Sequence, residues 1–239
     1  SLRELDNSLD GRLHVVSGDQ IEVLKSYGAD EVHISEEFEP YGAARDKRVE
    51  SAGIKLVRTG SPYAVSPGRV RKPDESNYRV YTPFYKAWLV HGWRAPVAAT
   101  KEINALKPNK NQREFPDWRC DYELPPAGER AALQRFNWFK KHALDSYDQK
   151  RNFAGIDGTS KLSAHLKFGE VHPRTLLYGL GASNAHDTFR KEIAWREFYA
   201  DVLFHNPHTI EDYYTEKFAK MRYDDPGEKF KAWCEGRTG

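Results

Sequence analysis

The sequence holds little cysteine, little methionine and little excess charge. Its two cysteines, Cys120 and Cys234, stand far apart. That spacing offers neither a metal knuckle nor a disulfide framework, and it suits a reducing, cytoplasmic setting. No apolar run nears the length that crosses a bilayer, no basic-then-apolar leader opens the chain, and no membrane partner is expected. The formal net charge is only +2 over 239 residues, so bulk charge gives no sign of nucleic-acid binding. The nine histidines include no pair at metal-ligating spacing, since Pro207 separates His205 from His208; no metal site is expected. A Gly-x-Ser-x-Gly elbow, a Walker A loop and a Rossmann glycine fingerprint are all missing, which leaves hydrolases and the common nucleotide loops without support.

Aromatic residues are plentiful instead, at 13% of the chain with six tryptophans. Disordered chains are aromatic-poor, and this length is enough to bury a core. The chain starts at Ser1 and stops at the turn-like Gly236-Arg237-Thr238-Gly239, with Phe230 and Trp233 close before it. Both ends are expected to be cuts within a longer protein.

Residues 13–60 alternate strand and helix signals. Leu13-His14-Val15-Val16 reads as a strand. Asp19 then caps a helix that Gly28 stops, by the usual preference for a side-chain acceptor at the start and a left-handed residue at the end. Glu31 to Ile34 is a second strand, Tyr41 to Ala52 a charged helix, and Ile54 to Val57 a third strand. That order predicts parallel strands with right-handed crossovers. Prolines then punctuate residues 61–125, with one helix between Thr82 and Gly92. This stretch is expected to be an ordered connector, with residues 98–120 as its mobile part. From Gly128 the signals are helical: Leu133, Phe136 and Phe139 recur on one face, Pro173 suits a first helical turn, and a long helix spans about His186 to Phe204. The fold class is thus an α/β N-terminal part with an incomplete parallel sheet, then an incomplete all-α domain. The expected boundaries are 1–65, 66–127 and 128–239.

Two stretches carry candidate chemistry. Tyr147-Asp148-Gln149-Lys150-Arg151 precedes Gly158-Thr159-Ser160-Lys161-Leu162-Ser163. One reading is a helix end, a turn and a Ser/Thr-capped helix. The other is an anion site, because hydroxyls, a cation and free backbone N–H groups gather at a helix start. In the long helix, Glu192, Trp195, Arg196 and Tyr199 stand at i, i+3, i+4 and i+7, hence on one face. A Glu–Arg pair beside core aromatics would explain them. A carboxylate, a cation and flat rings would also hold an extruded base.

Several strings together resemble the class I DNA photolyases of the cryptochrome/photolyase family. They are Val15-Val16-Ser17-Gly18-Asp19, Pro40-Tyr41-Gly42, Arg45-Asp46, Tyr81-Thr82-Pro83-Phe84, Trp88, Gly158 to Ser163, Phe168-Gly169-Glu170, Pro173-Arg174, Glu192 to Tyr199 and Gly236 to Gly239. The resemblance implies light-driven repair of cyclobutane pyrimidine dimers in DNA with reduced FAD. A cryptochrome light receptor and a (6-4) photolyase are the alternatives. It implies that Tyr147, Thr159, Ser160, Lys161, Leu162, Ser163, Phe189 and Arg196 bind FAD. It implies that Arg151, Glu192, Trp195, Arg196 and Tyr199 meet DNA, with Glu192 and Trp195 as the catalytic pair. A second antenna pigment of folate or deazaflavin type, a monomeric state and poor activity of this stretch alone are further expectations. Three positions depart from the family pattern. Phe189 and Tyr223 stand where relatives often carry Trp, and Glu211 where some carry a folate-contacting Lys.

Overall fold

The computed structural model describes residues 1–98, 104–117 and 121–238. Cys120, Gly239 and parts of the 98–120 stretch lie outside the described residues. Two compact units emerge, Ser1–His205 and Asn206–Gly239.

Helix α1 (Leu2–Ser8) opens the first unit. Helix α2 (Gln20–Ser26) starts at Asp19, whose carboxylate accepts from the N–H groups of Ile21 and Glu22 at 2.9 and 3.3 Å. Gly28 follows with a φ of +59°, which a side chain would resist. Strand β1 (Val32–Ile34), helix α3 (Pro40–Ser51) and strand β2 (Leu56–Arg58) form the expected unit. The strands are parallel, with Val32 opposite Leu56 and Ile34 opposite Arg58.

The strand expected at residues 13–16 does not join this sheet, which has two strands among the described residues. Val15 instead bridges to Arg113. Its N–H donates to Gln112 at 2.9 Å, and its carbonyl accepts from Glu114 at 2.8 Å. Arg113 between them reaches the buried carboxylate of Asp6. A β-branched run marks a segment that wants a backbone partner; it does not choose the partner.

The helical part follows the sequence pattern more closely. Helix α4 (Tyr81–His91) ends at Gly92, whose φ is +65°. Helices α5 (Glu129–His142), α6 (Tyr147–Lys150), α7 (Ser163–Lys167), α8 (Pro173–Tyr178) and α9 (Asn184–His205) come next. No strand occurs after residue 128 among the described residues. Helix α9 packs on α4 and α6. Trp88, Phe84, Phe139, Leu144 and Leu176 are almost wholly buried in the shared core.

The inner side of α9 also buries two carboxylates. Glu197 accepts from the N–H groups of Ala64 and Val65 and from the indole of Trp88. Asp201 accepts from Gly68 N–H at 2.7 Å. These bonds satisfy N–H groups of the loop 61–68 that burial would otherwise strand. The loop 61–68 is thereby pinned to α9, and this fixes where Tyr63 stands.

The second unit contains helix α10 (Glu228–Cys234). Within it, Tyr223 is exposed and stacks on Tyr213, with ring centroids 6.4 Å apart.

Candidate functional site

A cavity of about 550 Å³ opens in the first unit, within the size range of cofactor sites. Phe38, Glu39 and Tyr63 are among its lining residues. Tyr147 and Leu162 also line it, and α9 supplies Phe189, Glu192, Arg196 and Tyr199. Most of the lining is apolar. The polar groups are few: Ser160, Ser163, Lys167, Glu39, Glu192 and Arg196, with the hydroxyls of the tyrosines.

Phe189 is buried at the base, 4.9 Å from Phe139 and 5.6 Å edge-on from Tyr147. Burial raises the Tyr147 hydroxyl above its ordinary pKa, with Arg151 opposing and Glu192 reinforcing the shift. Helix α6 ends at Arg151, whose guanidinium donates to Glu192 in a half-buried ion pair. Burial lowers the Arg151 pKa, but the hydrogen bond and charge of Glu192 outweigh it and leave it raised. Glu192 therefore pairs across to Arg151 rather than along α9 to Arg196. Arg196 donates to the Pro62 carbonyl at 3.0 Å and lies 4.6 Å over the Tyr63 ring.

The stretch from Gly158 to Ser163 divides. Ser160, Leu162 and Ser163 line the cavity, while Thr159 and Lys161 do not. Lys161 takes a left-handed φ of +55° and sends its ammonium to Asp157 at 3.0 Å. The capped helix expected here begins at Ser163 with Leu162 before it, and no side-chain oxygen caps it. The loop is held instead by Arg135, which donates to the carbonyls of Thr159 and Ser160 at 2.6 and 2.9 Å and also grips Asp157.

Trp195 also stands outside the cavity lining. Its ring lies parallel to Tyr81 at 3.6 Å and 7°, and 5.5 Å from Tyr199. The four residues assigned to one face of α9 thus split: three border the cavity, and Trp195 turns to α4.

Sequence reasoning missed Phe38, Glu39, Tyr63, Arg135 and Glu197. Tyr63 carried a faint signal, an aromatic within a proline-rich stretch. The others belong to the site through contacts distant in sequence. Among the described residues no three His, Cys, Asp or Glu side chains gather as a metal site, and no helix is long and apolar enough to cross a membrane.

The family profile described as DNA photolyase matches residues 1–102, and that of the FAD binding domain of DNA photolyase matches residues 189–239. A deoxyribodipyrimidine photo-lyase of Agrobacterium fabrum is 33% identical, covering 100% of this chain and 56% of that protein. A solved class III photolyase from Agrobacterium tumefaciens superposes with a TM-score of 0.80 at 31% identity, over 99% of this chain and 55% of the other. A cryptochrome from Synechocystis shares the fold, with a TM-score of 0.77 at 18% identity, over 100% of this chain and 56% of the other. The chain spans about half the length of the curated relatives it matches.

Proposed function

The chain belongs to the DNA photolyase and cryptochrome family, and on that basis we propose that it serves light-driven repair of cyclobutane pyrimidine dimers in DNA by electron transfer from reduced FAD. The observation that carries the reading is the cavity, whose lining suits a flat ring system joined to a diphosphate. Phe189 and Tyr147 offer aromatic walls. Ser160 and Ser163 offer hydroxyls, and Lys167 and Arg196 offer cations, to a diphosphate. Thr159 and Lys161 support that loop from outside the lining. FAD, when bound, supplies the photochemical electron, and the protein's part is to bind and orient.

The DNA side joins Glu192 and Tyr199 of the cavity lining to Arg151 and Trp195, which touch them from outside it. Arg151 contacts phosphate, which sets affinity and salt dependence rather than sequence choice. Glu192 offers a carboxylate to a base edge. Tyr199 and Trp195 offer rings to an extruded dimer, a site whose weak pairing lowers the cost of extrusion. The organisation proposed with this function is an antenna-type α/β part over 1–65, a connector over 66–127 and a helical FAD-binding part over 128–239. The protein works as a cytoplasmic monomer, with a second pigment of folate or deazaflavin type.

The test uses the full protein, purified in the dark. Its absorption spectrum should carry flavin bands and any antenna band. Under blue light it should restore normal thymines in a dimer-containing oligonucleotide. Trp195→Ala should cost roughly 1–3 kcal/mol of dimer binding, the worth of one stacking platform. Repair confined to (6-4) lesions, or flavin without any repair, would overturn the assignment.

A further inference from the structure

Tyr63 lines the cavity and is only 6% exposed. Its ring is fixed by two neighbours: Phe38 meets it edge-on with centroids 6.3 Å apart, and the Arg196 guanidinium lies over it at 4.6 Å. Its backbone is fixed as well. The Tyr63 N–H donates to Ser61 Oγ at 3.3 Å, and the Ser61 carbonyl accepts from His172 Nε2 at 3.0 Å. The Pro62 carbonyl accepts from Arg196, and the Ala64 carbonyl accepts twice from Arg174, at 3.1 and 2.9 Å. With the bonds from Ala64, Val65 and Gly68 to Glu197 and Asp201, the chain on both sides of Tyr63 is held by α9 and by the start of α8. The side chain therefore has little freedom left to lose when a ligand enters the cavity.

The packing explains the ring and leaves the hydroxyl unexplained. Among the described residues Tyr63 bonds only through its backbone, and nothing hydrogen-bonds to its hydroxyl. A tyrosine hydroxyl withdrawn from water ordinarily has a partner. Phenylalanine would keep the contacts with Phe38 and Arg196. Burial raises the hydroxyl above its ordinary pKa; Arg196 opposes the shift, and Glu39, Glu37 and Glu197 reinforce it. At neutral pH it is a phenol with a proton to donate. The charges of the lining say what it donates to. Lys167 stands 4.0 Å from Glu39, and Arg151 pairs with Glu192. Arg196 is the remaining charged residue of the lining, and its printed bond goes to the neutral Pro62 carbonyl. One carbonyl engages one of the five N–H donors of a guanidinium. Because that guanidinium lies over the Tyr63 ring, it and the hydroxyl at the ring's edge come within reach of one phosphate group, and bonds to a charged acceptor are the strong ones.

We propose that Tyr63 is a specificity-determining residue of the cavity, whose hydroxyl donates to an oxygen of a ligand phosphate that Arg196 also holds. The ring under the guanidinium keeps that cation aimed. The hydroxyl adds a second donor, and the clamped loop sets its direction. The pair favours a flavin that carries a diphosphate over the same ring system without one. The inference rests on the proposed function only in taking FAD as the ligand, and it involves no step of the repair.

The test uses the full protein, stripped of bound flavin, and measures its affinity for FAD, ADP and riboflavin by calorimetric titration. Tyr63→Phe keeps the ring and removes the donor. It should weaken FAD and ADP roughly tenfold or more, the worth of a hydrogen bond to a charged acceptor, and leave riboflavin unchanged. A general loosening of the fold would lower all the affinities together and is told apart in this way. Tyr63→Leu also removes the surface under Arg196 and should weaken FAD further. In a double-variant cycle, Tyr63→Phe should cost less FAD affinity in the Arg196→Lys protein than in wild type, because the two donors serve one phosphate. Tyr178→Phe, exposed and outside the lining, should change nothing. Unchanged FAD and ADP affinity in Tyr63→Phe overturns the proposal. So does a loss that riboflavin shares equally, strict additivity with Arg196→Lys, or a wild-type protein that binds neither FAD nor ADP. Dimer repair with FAD affinity unchanged in Tyr63→Phe would count against this inference alone. The Tyr63 effect without any dimer repair would count against the proposed function alone.

Discussion

The indole N–H of Trp88 donates to the Glu197 carboxylate at 2.7 Å, with both side chains almost fully withdrawn from water. The same carboxylate accepts from the N–H groups of Ala64 and Val65, so one side chain of α9 ties α4 and the loop 61–68 together. Glu197→Ala leaves those donors buried without an acceptor. Each stranded donor costs roughly 1–3 kcal/mol, and part of the cost is regained where water enters the gap. Glu197→Gln keeps one acceptor oxygen and should fall between Ala and wild type. Urea unfolding followed by tryptophan fluorescence gives this order. Equal stability of all three proteins would show that the loop is not held there.

The same carboxyl should make stability depend on pH. Burial pushes Glu197 up to about 7, against the hydrogen bonds from Trp88, Ala64 and Val65 that pull it down. The unfolded chain gives up this proton near the ordinary glutamate value, while the folded chain keeps it until about 7. Stability from Glu197 is therefore fully present below about 4.5 and is lost as pH rises to about 7, on the order of 1.4 kcal/mol per pH unit of separation. His172 works in the opposite direction. Its pKa is lowered, chiefly by burial, so its contribution is lost as pH falls below the ordinary histidine range. Glu197→Gln retains His172. The difference in unfolding free energy between wild type and Glu197→Gln should thus fall steadily across this window, and a flat difference would contradict it.

Arg151 and Glu192 neutralise each other in the free protein. Under the proposed function, DNA phosphate competes with Glu192 for the guanidinium. Glu192→Gln should release Arg151 and strengthen binding to undamaged DNA, with a salt slope steeper by up to about 0.9 for one added phosphate contact. Arg151→Ala should weaken binding to damaged and undamaged DNA alike and flatten the slope. Fluorescence anisotropy over a salt series measures both. Identical slopes in the three proteins would remove Arg151 from the DNA surface.

The sequence made the local features legible and left the distant ones hidden. Asp19, Gly28, Gly92 and Pro173 mark helix ends through their own backbone chemistry, and each stands at the expected end. The helical spacing of Phe136 and Phe139 likewise announced a buried face. Val15 shows the limit: its strand character was visible, but its partner at residues 112–114 lies nearly a hundred positions away. The candidate site divides the same way. Tyr147, Ser160, Ser163, Phe189, Glu192 and Arg196 were legible as strings and do border one cavity. Tyr63 enters only because Glu197 and Asp201 pin the loop 61–68. Lys161 drops out of the lining because its left-handed backbone sends the ammonium to Asp157. Such outcomes depend on tertiary contacts that no local period encodes.

Phe189 gives the most direct test of how tightly the base of the cavity is built. Its ring is 3% exposed and is packed by Phe136, Phe139 and Tyr147, with centroids 6.4, 4.9 and 5.6 Å away. A tryptophan, the residue that the family resemblance suggests for this position, adds volume against these three rings. Phe189→Trp should therefore destabilise the protein by about 1–3 kcal/mol, the usual cost of overpacking. Phe189→Ala removes the ring and leaves a cavity beside the proposed flavin wall, at a cost of about 3–5 kcal/mol. Phe189→Leu keeps most of the volume and should cost less than either, so loss of flavin binding in that variant would report the missing aromatic face rather than a loosened core. Denaturant midpoints for the three variants, with FAD titration of each by flavin fluorescence, separate packing from recognition. A Phe189→Trp protein as stable as wild type would mean that the α5–α9 packing can shift to admit an indole.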